Sequence, residues 1–168
     1  MRRVVVNSTP LIALSNIGQL ELLHKLYGQI MIPQAVYDEV TAKHDSACNQ
    51  IRSFLDWIQV KPIRNIDEKK MYRAKLHTGE VEVMILAQEN PIADLVIIDD
   101  NAAKKTAKYL GLPVTGTLGV LLKAKRCGLV DSIQPLLKKL QQIGFHIGDD
   151  VLRYVLEEAG EVGRNIDK

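Results

Sequence analysis

The chain has 168 residues, 25% of them charged and 46% hydrophobic, with a formal net charge of +2. One domain of this length buries a core without staples, and so small a net charge does not by itself call for a polyanionic partner. No apolar run reaches the length of a membrane span, Cys48 and Cys127 form no CxxC, and His24, His44, His77 and His146 lack zinc-site spacing. With no signal-peptide pattern at the start, these features lead us to expect a soluble cytoplasmic protein whose thiols merely pack.

Val4-Val5-Val6 is a β-branched run that stops at Asn7-Ser8-Thr9-Pro10. Thr9 is the expected N-cap of the next helix, with Pro10 at its first position, where a missing N–H costs nothing. Gly18 breaks that helix. Leu20, Leu22, Leu23 and Leu26 then define a short amphipathic helix that Gly28 ends. Ile30-Met31-Ile32 is a strand closed by Pro33, and Gln34 to Val40 forms a helix. Glu39 stands three residues from Val36 and so near the apolar face, while Asp38 turns about 100° further toward solvent. A plain surface carboxylate at Glu39 would fit the same spacing.

Ser46 to Trp57 is a polar helix with Ile51, Phe54 and Leu55 inward, and Trp57-Ile58-Gln59-Val60 alternates as an edge strand does. Pro62 to Lys70 carries no predicted element beyond a connection. Lys69, Lys70, Arg73 and Lys75 look like a solvated helix face, with a nucleic-acid contact as the alternative. Thr78 to Ala87 is too long for an ordinary strand. Its cap at Thr78 and its early acids suit a helix, and its apolar residues on every side require burial. Glu80 and Glu82 lie about 200° apart around that helix, so one can serve a site while the other is paired or favours the dipole.

Leu95-Val96-Ile97-Ile98 is the run expected of a strand buried on both faces of a parallel sheet. It ends at Asp99-Asp100, where such sheets place their ligands, although Asp100 also suits the N-cap of the helix over Ala102 to Leu110. Ala102, Ala103, Ala107 and Leu110 form the packing side of that helix; Lys104, Lys105 and Lys108 share its other side, where they steer phosphate or simply form a solvated face. Leu112 to Thr115 is a short strand, and Gly116-Thr117 leads into a helix ending at Cys127. The Thr115-Gly116-Thr117 corner can hold an anion or a metal-bound water, and a simple Thr117 N-cap explains it equally. Helices over Ser132 to Ile143 and Asp149 to Glu158 follow, and the tail from Gly160 is expected to fray.

The strands at 4–6, 95–98 and 112–115 each run into a helix through a polar corner. Right-handed crossovers bring those corners to one edge of a parallel sheet, where Glu39 and Glu80 complete an acidic cluster. Clustered carboxylates repel unless a divalent cation sits among them, and hard oxygen ligands select magnesium or manganese. Such an ion acidifies bound water and clamps a phosphodiester. Neither GxGxxG nor GxxxxGK[ST] is present, and a receiver-like phosphoryl-transfer domain would place its acidic pair after the first strand, which here ends in Asn7.

Five stretches in register resemble the PIN domain family, in its branch close to the VapC-like toxin ribonucleases. They are Val4 to Leu14, Ile32 to Val40, Thr78 to Glu82, Ile97 to Asp100 and Val114 to Gly119. The likeness covers 1–144 as the core of a single domain spanning 1–168, with 145–168 as a C-terminal helical tail. It implies an α/β fold of three layers, α/β/α, with a central parallel sheet wrapped by helices. It also implies a magnesium- or manganese-dependent nuclease acting on RNA, frequently a homodimer, with a small antitoxin protein restraining toxin members.

Position by position, Glu39 matches the carboxylate of the helix after the second strand. Glu80 matches the third acidic position, with Glu82 as its alternative. Asp100 matches the acid after the central strand, with Asp99 beside it, and Thr115 and Thr117 match the hydroxyl-bearing corner. The departure is Asn7, where the family usually has an aspartate. An amide oxygen can coordinate a metal but brings no charge and cannot act as a base. The alternative is therefore a catalytically impaired module that binds RNA or a protein.

Overall fold

In a computed structural model describing residues 2–64, 78–89 and 91–161, five strands pair in parallel in the order β3-β2-β1-β4-β5. They are β1 (Val4–Val6), β2 (Ile30–Pro33), β3 (Ile58–Lys61), β4 (Leu95–Ile97) and β5 (Val114–Thr115). β1 lies in the middle, with Val5 opposite Met31 on one side and Val6 opposite Ile97 on the other. A parallel sheet is covered on both faces, so its central strands carry no polar alternation. Val4, Val5, Val6, Val96 and Ile97 are accordingly all fully buried.

The described helices are α1 (Ser8–Asn16), α2 (Glu21–Tyr27), α3 (Gln34–Thr41), α4 (Ser46–Ser53), α5 (Thr78–Gln88), α6 (Asn101–Tyr109), α7 (Thr117–Arg126), α8 (Gln134–Gln142) and α9 (Asp149–Glu158). They flank the sheet and give the expected α/β architecture. α5 packs on β1 and β2, and α3 packs on α5. Every residue of α5 from Gly79 to Ala87 is buried, which explains why its sequence shows no polar face. Gly28 ends α2 at φ +77°, a conformation that disfavours any side chain.

Several expected boundaries shift, each for a local reason. Asn7, not Thr9, holds the cap position of α1, so Pro10 falls at the third helical residue, where its missing N–H still breaks no helical bond. α4 stops at Ser53, and Leu55 therefore turns outward, 42% exposed, before β3 begins. Thr117 is the first residue of α7 and Gly116 its cap position. Cys48 packs in the core, but Cys127 is exposed just past α7. The predictions for Lys69, Lys70, Arg73, Lys75 and His77 lie outside the described residues.

Glu161 is held to the fold, and the fraying expected of 162–168 lies outside the described residues. Glu161 accepts hydrogen bonds from Ser132 Oγ at 2.6 Å, from the N–H groups of Ile133 at 2.7 Å and Gln134 at 2.9 Å, and from Lys125 Nζ at 3.0 Å. It thus caps α8, whose own cap residue, Ile133, has no polar side chain. Burial pushes the Glu161 carboxyl up, but the N–H of Ile133, the Ser132 hydroxyl, the N–H of Gln134 and the Lys125 ammonium together outweigh it and hold it at about 2.

Candidate active site

The carboxyl ends of β1 and β4 are side by side, joined by a hydrogen bond of 2.9 Å from the Asn7 N–H to the Ile97 carbonyl. Asn7 is extended at φ −84° and ψ 171°, yet its side chain caps no helical N–H. It is 4% exposed, and its Oδ1 lies 3.8 Å from where a Cβ on Gly79 would stand. Glu39 Oε1 lies 3.1 Å from the same point and accepts a hydrogen bond of 2.8 Å from Ser8 Oγ. Gly79 is therefore the floor on which an amide and a carboxylate from different elements converge. A side chain there would press on Glu39.

Glu80, in the first turn of α5, is buried at 8% exposure. With Asn7, Ser8, Thr9 and Glu39 it lines a cleft of about 90 Å³, room for roughly three waters at ~30 Å³ each. Two carboxylates, one amide oxygen and hydroxyls make an all-oxygen donor set. Among the described residues no three His, Cys, Asp or Glu side chains are grouped to hold a metal ion. A cation in the cleft would rest on two carboxylates, an amide oxygen and water, a set that suits magnesium or manganese, which keep several waters. By this test the residues fit such an ion.

The other expected site residues stand elsewhere. Glu82 is 6% exposed and accepts from the Ala35 N–H at 3.1 Å, at the start of α3, whose cap residue Pro33 makes no side-chain cap. Asp99 takes both donors of Thr117, the N–H on Oδ1 at 2.8 Å and the hydroxyl on Oδ2 at 2.7 Å, and so closes the start of α7. Asp100 is exposed and caps α6 by accepting from the Ala103 N–H at 2.9 Å. Thr115 lies against α7, where a Cβ on Gly119 would run into its hydroxyl. Asp38, on the solvent side of α3 as its spacing requires, accepts from Gln34 Nε2 at 2.9 Å.

The fold thus brings together Asn7, Glu39 and Glu80, and it uses Glu82, Asp99 and Asp100 to start helices. Sequence reasoning missed Ser8 and Gly79. Ser8 sits in a polar corner that was legible, but its bond to Glu39 spans 31 residues and leaves no local signal. Gly79 looks like an ordinary residue of a helix start.

A flanked parallel sheet with an oxygen-lined acidic cleft at its carboxyl edge defines an α/β protein built to work on a ligand beyond its strand ends. A family model described as a PIN domain matches residues 3–161, and the chain belongs to that family. PIN domains are generally nucleases. No curated protein matches the chain.

Proposed function

We propose that the protein is a magnesium- or manganese-dependent endoribonuclease, hydrolysing RNA phosphodiester bonds in the cleft between Asn7, Glu39 and Glu80. The observation that carries this reading is the convergence of Glu39, Glu80 and the Asn7 amide in one small cleft in a PIN domain. When bound, the ion would neutralise phosphate charge and acidify a water. The Ser8 hydroxyl fixes the orientation of Glu39, and Asn7 orients a water without being able to take its proton. Glu80 adds the second carboxylate that lines the cleft. The resemblance also gives Thr115, Thr117, Asp99 and Asp100 a part in the chemistry, from the neighbouring strand ends. Glu82 remains the alternative to Glu80 as ligand.

We assign the protein, as one domain over 1–168, to the toxin side of a toxin–antitoxin pair, acting in the cytoplasm as a homodimer under a small antitoxin protein. The resemblance to VapC-like ribonucleases supports this assignment. Among the described residues no helix is long and apolar enough to cross a membrane. The test is incubation of pure protein with a mixed pool of structured and single-stranded RNAs, with and without manganese. Cleavage should require the metal and fall about 100-fold or more in Glu39→Gln and Glu80→Gln. A wild type as silent as these variants under every metal tried would defeat the enzyme reading. The amide of Asn7 favours one other reading, a catalytically impaired module that binds RNA or a protein.

A further inference from the structure

Among the described residues, two depressions share a lining residue with the acidic cleft and a third shares one with the second of these. Glu39 belongs both to the cleft and to an open hollow of about 680 Å³ that also holds Asp38. On the other side, Thr9 joins the cleft to a hollow of about 220 Å³ on α1, and Phe145 joins that hollow to a groove of about 410 Å³ at the start of α7. The four make one track with unlike ends. The Asp38 end is acidic, while the groove beyond Phe145 carries Lys104 and His146.

Lys104 differs from the other lysines of α6. Lys105 and Lys108 are exposed, whereas Lys104 is half-buried, with its Nζ 3.0 Å from where a Cβ on Gly116 would stand. The groove therefore holds an ammonium against a glycine floor that leaves room for it. Asp99 lines the groove beside Lys104, its Oδ1 2.6 Å from the same point over Gly116, and Thr117 donates to both of its oxygens. The volume suits a nucleotide, since small-ligand sites occupy about 300–1,000 Å³. A groove that combines an ammonium with an aromatic ring suits single strands, whose phosphates meet the charge and whose unpaired bases stack.

We infer that the Phe145–Lys104 groove is a nucleotide subsite. A single-stranded RNA lies along the track with its scissile phosphate at the acidic cleft. On the groove side, a neighbouring phosphate meets Lys104 and an unpaired base lies on the Phe145 ring. Among the described residues the Asp38 end lines its hollow with carboxylates and offers no such hold. This inference rests on the nuclease reading for the location of the scissile phosphate.

The test is fluorescence anisotropy of the full chain with a labelled single-stranded oligoribonucleotide, calcium replacing magnesium, over a range of salt, alongside the manganese cleavage assay. Lys104→Gln should lower the slope of log affinity against log salt by about 0.7, the loss of one phosphate contact to a single strand. Phe145→Leu keeps an apolar side chain there and should weaken binding about 10-fold. Lys105→Gln should change neither quantity, and the melting temperature of each variant checks its folding.

If Lys104→Gln and Lys105→Gln behave alike and Phe145→Leu binds as the wild type does while cleavage persists, the subsite is wrong and the nuclease reading stands. If the variants lose binding as expected but the wild type cuts no RNA, the subsite stands without the chemistry. A wild type that binds no RNA removes both.

Discussion

Asn7 brings to the cleft an acceptor oxygen without a charge, within reach of the point over Gly79 that Glu39 also approaches. An aspartate there would add a third carboxylate, raising cation affinity and, with no cation bound, the mutual repulsion of the group. For Asn7→Asp the expected outcome is a larger manganese-induced rise in melting temperature than in the wild type, with cleavage increasing less than about 10-fold, one decade being about 1.4 kcal/mol of barrier. Cleavage that rises by several decades would show that the amide impairs the natural chain, and the binding-module reading would then take over. Serine at position 8 acts on the same cleft from one residue further along, since its hydroxyl holds Glu39 in place.

On α5, two glutamates two residues apart do different work because the helix sends them in different directions. Glu80 lines the cleft, while Glu82 reaches the Ala35 N–H and supplies the cap that Pro33 does not provide. Glu82→Ala should cost about 1–2 kcal/mol of stability in chemical denaturation. Glu82→Gln, which retains an acceptor oxygen, should recover most of that, and both should still cleave RNA below their melting temperatures. Loss of cleavage in a folded Glu82→Gln would instead make Glu82 the ligand. The spacing showed that the two glutamates diverge but not which faces the cleft, because the partner of Glu82 lies 47 residues away on α3. Asp99 and Asp100 pose the same difficulty. The cap on α6 was legible from local sequence, whereas the bond from Asp99 to Thr117 depends on β5 lying beside β4.

At the level of the whole molecule, the β-branched runs and polar corners were enough to anticipate a parallel sheet with its site at the carboxyl edge. Element ends were less legible. α1 begins earlier and α4 ends sooner than periodicity suggests, since caps and turns are settled by tertiary neighbours. The anchoring of Glu161 was also hidden, because its donors lie 27 to 36 residues back along the chain. Its carboxyl is held at about 2, below the usual 4.5, so the stabilisation it confers is complete above 4.5 and is lost as the pH falls from 4.5 toward 2. Urea unfolding should find Glu161→Gln about 2 kcal/mol less stable than the wild type at pH 7. The gap should narrow as the pH falls through that window, and a gap independent of pH would show that the carboxylate charge is not what anchors the tail.

The position of β1 in the middle of the sheet bears on how the protein is made. Its partner on the site side, β4, is encoded far downstream, as the 91-residue separation of the bonded pair Arg3 and Asp94 records. At roughly 5–20 residues per second, about 5–20 s of translation separate the two. In the later part of that interval the nascent chain carries Asn7, Ser8 and Glu39 but lacks the strand that closes the sheet beside them. A PIN domain built this way cannot complete the sheet beside its cleft until β4 has been translated.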